Sequence, residues 1–504
     1  MVGRIENLVE DILTVSVNWI IKGNDGLDRF IDPNDNVEIS DHYGATHMAA
    51  SLILWGKYTL NNNLYNKGIS LLRSILARWN VNKNLPTFHF DFNNFALVLV
   101  ESVVDNETKL LIKDVVCQTS DSNHNTINWL PMRWVVNLKR LEWTNNCYYR
   151  TRIEEFRRLI NKATNEDGGI EDRLPYGMSF NLQYDIATVA VMQYLNVHGE
   201  EINLSKQLGF LLNAVAPDGD INYQGRGTNQ IFAWGLWVYL LSSSNHKHHL
   251  EQALDYLTPR LHIMLQLKSM MLNEWPGKEK YLWWDYHYAS VYTAHCLLWL
   301  ILAVRDYKKS VITPSFSNNK DTGLYTFSSP SFFVNWFAGR DEYLAERGPA
   351  IAAIWTQKQG MICKGTFAPW QGNFGSRYIY DDIVLKNYCG LISVKHNKDW
   401  SKNRLIHKVL PQIKNTPICI VEPLFLPVQV LNKKDCVEIV WENTDKNDFF
   451  FNFPSLKKDC DIKLFVDEFQ VNLFCSEAIK NQYGWVFLYQ SRRICGKNVK
   501  LVIY

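Results

Sequence analysis

The spacing of hydrophobic residues divides the chain into two parts. Through about the first 310 residues, apolar residues recur at helical spacing and proline is sparse. From about residue 320 onward, short β-rich runs alternate with polar turns; among them are residues 390–395 (GLISVK), 437–441 (VEIVW) and 462–466 (IKLFV). The pattern predicts an N-terminal helical domain over residues 1–312 and a C-terminal antiparallel β-sandwich over residues 323–504. Residues 313–322, TPSFSNNKDT, have the composition of a linker between them.

The helical part contains a weak repeat. Six times, a polar or aromatic cluster precedes or opens an apolar helical run, at intervals of about 35 to 60 residues, a period typical of repeat architectures. The segments in between, such as residues 150–164, are more charged. A helix that is apolar all round is buried, and one with a polar face lies outside. We therefore predict about six helix hairpins closed into an α/α toroid, with an open bundle or solenoid as the alternative. The clusters are 41–54, 88–100, 126–136, 179–194, 222–241 and 285–304.

In a closed toroid, the six clusters would lie at one end of the inner helices and face one cleft. The most distinctive of them contains Gly225-Arg226-Gly227. The two glycines let the backbone bend, and the arginine fork binds carboxylates in a bidentate manner, which suits an acidic sugar. In the alternative interpretation, Arg226 pairs with Asp218 or Asp220 in a purely structural loop.

Two further clusters offer groups for catalysis. Asn181 and Tyr184 are three residues apart, so they share one helix face. Tyr184 is a candidate general base and acid, but tyrosine titrates near pH ~10 and needs a nearby cation, for which Arg226 is the candidate. The run NWLPMR provides an amide, an indole and a guanidinium from Asn128, Trp129 and Arg133. The alternatives are a hydrogen-bonded core tyrosine and a helix cap followed by a core tryptophan.

The remaining candidates are two histidines and neighbouring polar residues. His47 and His287 can each act as an acid, a base or a ligand, although a lone histidine is often only a hydrogen-bonding residue of the core. Tyr223, Asn229 and Tyr288 complete the predicted substrate contacts. The sequence has no HExxH, GxSxG, Walker or GxGxxG motif, so we predict neither a metal nor a cofactor.

Composition narrows the function further. Aromatic residues reach 13%, with 18 tryptophans, as sugar-stacking clefts and large helical cores both require. The net charge is +2 without a basic stripe, which argues against a nucleic-acid partner. The ten cysteines form no CxxC pair, so we expect reduced thiols. The N-terminus is typical of an amphipathic helix, and no apolar run is long enough to span a membrane. We therefore expect a cytoplasmic protein, although a chain trimmed of its leader would look the same.

The predicted architecture resembles that of several polysaccharide lyase families: hyaluronate/chondroitin lyases, heparinase II/III-like lyases and alginate lyases. Asn128-Trp129 is similar to the Asn-Trp at the substrate cleft of the hyaluronate/chondroitin group. Asp167-Gly168-Gly169 with Tyr184 resembles that group's DG turn and catalytic tyrosine, and Gly225-Arg226 resembles its Gly-Arg segment. Two features of that group are missing from this chain. No histidine stands shortly before Tyr184, and no glycine follows Tyr184.

The resemblance implies that a uronic-acid-containing polysaccharide or oligosaccharide is cleaved by β-elimination. Tyr184 would act as base and then acid, and His47 or His287 would supply the imidazole. Two alternatives remain open. One is an inverting glycoside hydrolase, which needs two carboxylates. The other is a glycan-binding or capsule-assembly protein without turnover. The carboxylate candidates are Asp172, Asp185, Asp218, Asp220 and Asp285.

Overall fold

The computed structural model describes residues 1–34, 36–82, 89–121, 126–172, 180–225, 227–273, 288–337, 350–365, 375–378, 428–442, 449–475, 479–481, 484–492 and 494–504. Within these ranges, twelve α-helices come first and antiparallel strands follow, so the predicted change from helix to strand is confirmed. The helices are α1 Val2–Ser16, α2 Gly44–Tyr58, α3 Asn62–Asn82, α4 Phe90–Val100, α5 Asn106–Gln118, α6 Leu130–Thr144, α7 Cys147–Ala163, α8 Leu182–Val197, α9 Ser205–Asn213, α10 Phe232–Ser243, α11 Lys247–Leu267 and α12 Ala289–Arg305.

The even-numbered helices are the buried ones. Helices α4, α10 and α12 are buried at almost every position, as their unbroken apolar sequences require. By contrast, α7 buries only one stripe, Ile153, Phe156, Ile160 and Ala163, at helical spacing. Each even-numbered helix packs against the next one along the chain, and α12 packs against α2.

The six polar and aromatic clusters coincide with the beginnings of the even-numbered helices. At α8, the side chain of Asn181 accepts a hydrogen bond from the backbone N–H of Gln183 and caps the helix. At α6, Pro131 stands in the first turn, where its missing N–H has no consequence. Each even-numbered helix thus begins within its cluster.

A short antiparallel hairpin interrupts the region that the sequence predicts to be helical. Strands β1 (Ile20–Lys22) and β2 (Asp28–Phe30) pair across a turn in which Gly26 has φ +75°. The N–H of Gly23 donates to the Leu27 carbonyl at 2.8 Å and closes the turn. Three-residue strands are too short to show a period in the sequence. The hairpin forms because glycine allows the turn and Phe30 is buried.

The later strands form three antiparallel sheets. Their orders are β3-β4-β5-β6, then β12-β11-β16-β9-β8, then β13-β15-β10-β7 with β14 beside β15. The runs VEIVW and IKLFV are confirmed as β9 and β11, whereas the predicted strand at 390–395 lies outside the described residues. The strands are β3 Leu324–Ser328, β4 Phe332–Phe337, β5 Ala350–Thr356, β6 Gly360–Lys364, β7 Gly375–Tyr378, β8 Val428–Asn432, β9 Val437–Glu442, β10 Phe449–Ser455, β11 Ile462–Val466, β12 Phe469–Val471, β13 Leu473–Cys475, β14 Ile479–Asn481, β15 Gly484–Ser491 and β16 Asn498–Ile503.

Side chains from all three sheets meet in one hydrophobic cluster. Val334 of β4, Ile439 of β9 and Phe453 of β10 are all fully buried in it. Alternate residues of β9 are buried, as expected for a strand with one buried face. Strand β4 buries both faces, because Phe332 and Val334 lie in this cluster, whereas Phe333 and Phe337 pack against the helices. The three sheets therefore share a core that is separate from the core of the helices.

The first sheet packs directly on the helical domain. In the predicted linker, the N–H of Ser315 donates to the Ser205 carbonyl at 2.8 Å. At its end, the hydroxyl of Thr322 donates to Asp167 at 2.6 Å. The ring of Phe337 in β4 lies 6.1 Å from that of Phe180, just before α8. The first sheet and the linker before it thus contact the residues between α7 and α8 and the beginning of α9.

Among the described residues, we find no helix whose length and apolarity would let it cross a bilayer. The eight cysteines in the same ranges are free thiols.

Candidate functional site

Tyr184 lies in the first turn of α8. Its backbone N–H donates to the Asn181 carbonyl at 3.1 Å. Asn181, Leu182, Gln183 and Asp185 are all buried, whereas Tyr184 is only half-buried. The aromatic side chain at this helix start therefore reaches the surface of an otherwise buried element.

A glycine-containing loop lies against the same turn. Gln224 accepts from the N–H of Leu182 at 3.1 Å and donates to the Phe180 carbonyl at 3.3 Å. Gly225 and Gly227 have φ values of +83° and +81°, a conformation that favours glycine. A Cβ at Gly225 would lie 2.9 Å from Asn181 Cγ, so only glycine allows this approach. Arg226 itself lies outside the described residues, but both of its neighbours contact the first turn of α8.

The predicted Asn-Trp segment also contacts α8. Residues Ile127–Trp129 form a 3-10 turn that packs against this helix. Asn128 is buried, and its Oδ1 has no hydrogen-bond partner in the part of the chain that the structure describes. Arg133, one turn into α6, pairs with Asp91 at 3.0 Å, and its guanidinium lies 5.9 Å from the Trp129 ring centre. The predicted amide, indole and guanidinium thus lie beside the helix that carries Tyr184.

Two histidines that the sequence analysis does not single out join the beginnings of α2, α4, α6 and α12. The rings of His42 and His89 are stacked, with centres 4.0 Å apart. Tyr288 lies 4.8 Å from His42, and Trp129 lies 5.6 Å from His89. The Nδ1 of His89 is 2.8 Å from the Asp41 carbonyl. Both histidines lie within the predicted clusters, but periodicity cannot show that residues 47 positions apart will stack.

His47 lies in the first turn of α2, five residues after His42. It is fully buried, and its Nδ1 is 2.9 Å from the Tyr43 carbonyl. Burial lowers the pKa of His47 to about 3, so the ring is neutral. Burial and the nearby His47 also lower the pKa of His295, 5.2 Å away between ring centres. The catalytic role of His47 stays a prediction, and His287 lies outside the described residues.

Two predicted substrate contacts face the β-sheets. Tyr223 is fully buried, and its hydroxyl donates to the Ala214 carbonyl. Its ring lies 6.2 Å from Phe333 of β4. Asn229, also buried, accepts from Lys364 of β6 at 3.0 Å. Both residues connect the helices to the first sheet, and whether they contact substrate stays a prediction.

The described carboxylates differ in their electrostatics. Burial, followed by the charges of Asp167 and Glu171, raises the pKa of Asp185 well above its usual range. Burial and Asp220 raise the pKa of Asp218 to about 6. Burial opposes ionisation of Asp220 as well, but the Lys364 ammonium outweighs it and holds the pKa of Asp220 below its usual range. Asp285 lies outside the described residues, and within the described ranges no group of three or more His, Cys, Asp or Glu could hold a metal.

No family model and no curated protein matches the chain. Among solved structures, it is similar to a glycosyl hydrolase of family 88 from Bacteroides vulgatus (13% identity, TM-score 0.41, covering 60% of this chain and 98% of that one). It is also similar to a polysaccharide lyase (13%, 0.39, 60% and 96%) and to the unsaturated glucuronyl hydrolase of Streptococcus agalactiae (12%, 0.41, 62% and 94%). Similarities this weak do not assign an activity to the chain.

Proposed function

We propose that the protein is a carbohydrate-active enzyme, in which the helices form an α/α toroid, the sheets form a β-sandwich and the cleft cleaves a uronic-acid-containing glycan by β-elimination. The observation that carries this proposal is the surroundings of Tyr184. The half-buried tyrosine begins an inner helix, and the Asn128 turn and the Gly225–Gly227 loop both pack against that helix.

In the proposed reaction, the substrate carboxylate is neutralised by hydrogen bonds from Asn128 and by the positive charge of Arg133 or Arg226. Neutralisation makes the C5 proton more acidic. The ionised Tyr184 oxygen removes that proton, the C4–O bond breaks, and a double bond forms between C4 and C5. The tyrosine then returns its proton to the leaving oxygen, so one group serves as base and acid.

The stacked aromatic groups suit the binding of a sugar next to this centre. His42, His89, Trp129 and Tyr288 bring ring faces and polar edges together at the beginnings of four helices. Side chains of this kind combine apolar area with hydrogen-bonding atoms, as a pyranose requires. His42 and His89 are thus additional candidates for the imidazole that the sequence analysis assigns to His47 or His287.

The test is Tyr184→Phe, which keeps the ring and removes the hydroxyl. We expect ultraviolet absorbance from an unsaturated uronate product when the unmodified protein is given a panel of acidic polysaccharides. The variant should lose about 10²–10⁴-fold in kcat with little change in melting temperature. Tyr148→Phe, at an exposed tyrosine of α7, is the matched control and should keep full activity. Full activity of Tyr184→Phe would exclude Tyr184 as the base.

The raised pKa of Asp185 favours a second candidate function, inverting hydrolysis. Burial that raises a carboxyl's pKa favours the proton that a general acid must donate. The Asp172 carbonyl accepts from the N–H of Ile127, in the turn that packs against α8. Hydrolysis releases a reducing sugar without an unsaturated product. Reducing ends without ultraviolet absorbance would favour hydrolysis, and binding without either product would favour a glycan-binding protein.

A further inference from the structure

Lys364 is a charged side chain that crosses from the sheets into the helical domain. It ends strand β6 and is 8% exposed. Its ammonium donates to Asp220 at 2.9 Å, to Asn229 at 3.0 Å and to the hydroxyl of Tyr256 at 2.9 Å. A buried ammonium needs compensating partners, and these three acceptors belong to the helical domain.

Two of the three acceptors stand at the ends of the glycine-containing loop. Asp220 begins the loop and Asn229 closes it, so the single ammonium bridges residues nine positions apart. Asn229 is in the left-handed region, with φ +62°, a conformation that costs free energy unless its surroundings stabilise it. Within the loop, Asn222 donates to the carbonyls of Gly227 and Gln230 at 3.2 and 3.1 Å.

The loop in turn touches the first turn of α8. A Cβ at Gly227 would lie 2.1 Å from Gln183 Nε2, and Gln224 bonds to the backbone on both sides of Asn181. Contacts this close transmit a displacement of the loop ends to the segment that carries Tyr184. The Tyr256 ring, stacked on Trp234 at 4.6 Å, gives the ammonium a rigid neighbour.

We propose that Lys364 is a positioning residue, through which strand β6 holds residues 220–225 and 227–229 against the start of α8 and so preorganises the site. The proposal rests on the proposed function for its effect on turnover. Its structural part, a loop held by one lysine of the other domain, is measurable without any substrate. The ammonium of Lys364 is held by three buried acceptors of the helical part, so in this proposal it acts through the loop.

The test compares the full-length protein with three variants. Lys364→Met removes the ammonium, and Lys364→Arg restores a positive charge at the same place. Lys358→Met, in the exposed turn before β6, breaks only a surface pair with Asp461 and serves as the matched control. A double variant, Lys364→Met with Asp220→Asn, removes both charges of the buried pair. Because it leaves no unpaired charge buried, it should fold even if Lys364→Met does not.

We expect hydrogen exchange at residues 221–230 to rise at least about tenfold in Lys364→Met and in the double variant, with unchanged exchange in α10 and α12. Lys364→Arg should restore part of the protection, and Lys358→Met should match the unmodified protein. Exchange that rises equally throughout the helices would show a merely structural role and overturn the proposal. Unchanged exchange in the loop of both methionine variants would also overturn it.

Kinetics then separate this proposal from the function itself. With a confirmed glycan substrate, Lys364→Met should lower kcat by about 10²-fold with a smaller change in KM, because the reacting groups are displaced rather than removed. Loop exchange that rises as expected in a protein without glycan turnover supports Lys364 and refutes only the proposed function. An unchanged kcat in an active protein refutes the role of Lys364.

Discussion

The two ends of the even-numbered helices differ in how well their buried polar groups are paired. Beyond the end of α12, the fully buried Asp306 accepts from Arg305 at 2.8 Å and from Lys309 at 2.9 Å. His198 Nε2 and the Tyr239 hydroxyl lie 3.2 and 3.3 Å from the same carboxylate. Burial opposes ionisation, but the hydrogen bonds and charges of His198, Arg305 and Lys309 hold the pKa of Asp306 far below its usual range.

At the other end, buried polar atoms lack such partners. Asn128 Oδ1, His47 Nε2 and both ring nitrogens of His295 have no hydrogen bond within the described residues. Each such atom costs about 1–3 kcal/mol of stability. The hydrogen-bonded network at the far end of the helices therefore stabilises the fold, whereas the beginnings of the same helices hold polar groups in the pattern expected of a binding site.

The largest effect on stability should follow from Asp306→Asn. The substitution keeps the shape but removes the charge that two cations and a histidine surround, so the free energy of unfolding should fall by about 2–3 kcal/mol at pH ~7. Since the pKa of Asp306 is lowered in the folded state, its contribution is present above pH ~4 and lost as the pH falls below it. Urea unfolding between pH ~3 and ~7 measures both.

Asp255→Asn is the control for that substitution. Asp255 pairs with Arg4 at 2.7 Å, but the carboxylate is 69% exposed, so solvent screens the pair and its loss should cost about 0–1 kcal/mol. If the two substitutions cost the same, the buried network at the far end does not contribute the stability that we assign to it.

Asp185→Asn should change stability in the opposite direction and by less. The pKa of Asp185 is raised in the folded state, so above pH ~4 the unfolded chain loses the proton while the folded chain keeps it. The free energy of unfolding of the unmodified protein therefore falls as the pH rises above ~4. Asparagine cannot ionise, so we expect the variant to be the more stable protein at pH ~7 and equal to it near pH ~4. A variant that is less stable at both pH values would show that Asp185 is ionised and paired.

The change from helices to strands along the chain could be predicted from the sequence because that information is local. An unbroken apolar run such as α10 and a one-sided helix such as α7 differ in ways that a short window shows. The strands β9 and β11 likewise alternate clearly. The β1–β2 hairpin escaped prediction because three-residue strands have no measurable period.

The candidate site could be predicted only in part, since its decisive contacts are long-range. The polar clusters mark the helix starts and include Tyr184, Asn128 and Trp129. Lys364 gives no signal in its own strand, because its partners Asp220 and Asn229 are 144 and 135 residues away. The burial that makes His47 neutral also comes from tertiary packing, which no local pattern records.

The smallest effect on the free energy of unfolding is expected from His295→Leu, which tests the difference between the two ends of the helices. The buried imidazole stacks on Phe232 at 4.3 Å but satisfies neither nitrogen within the described residues, so leucine should leave the free energy of unfolding unchanged or raise it by up to about 1 kcal/mol. Tyr239→Phe, at the far end, removes one hydroxyl near Asp306. This substitution should lower the free energy of unfolding by about 1 kcal/mol. Paired urea titrations resolve this difference. If His295→Leu instead lowered the free energy of unfolding by more than about 2 kcal/mol, the imidazole would be stabilising. The proposed difference between the two ends of the helices would then not hold for the fully buried His295.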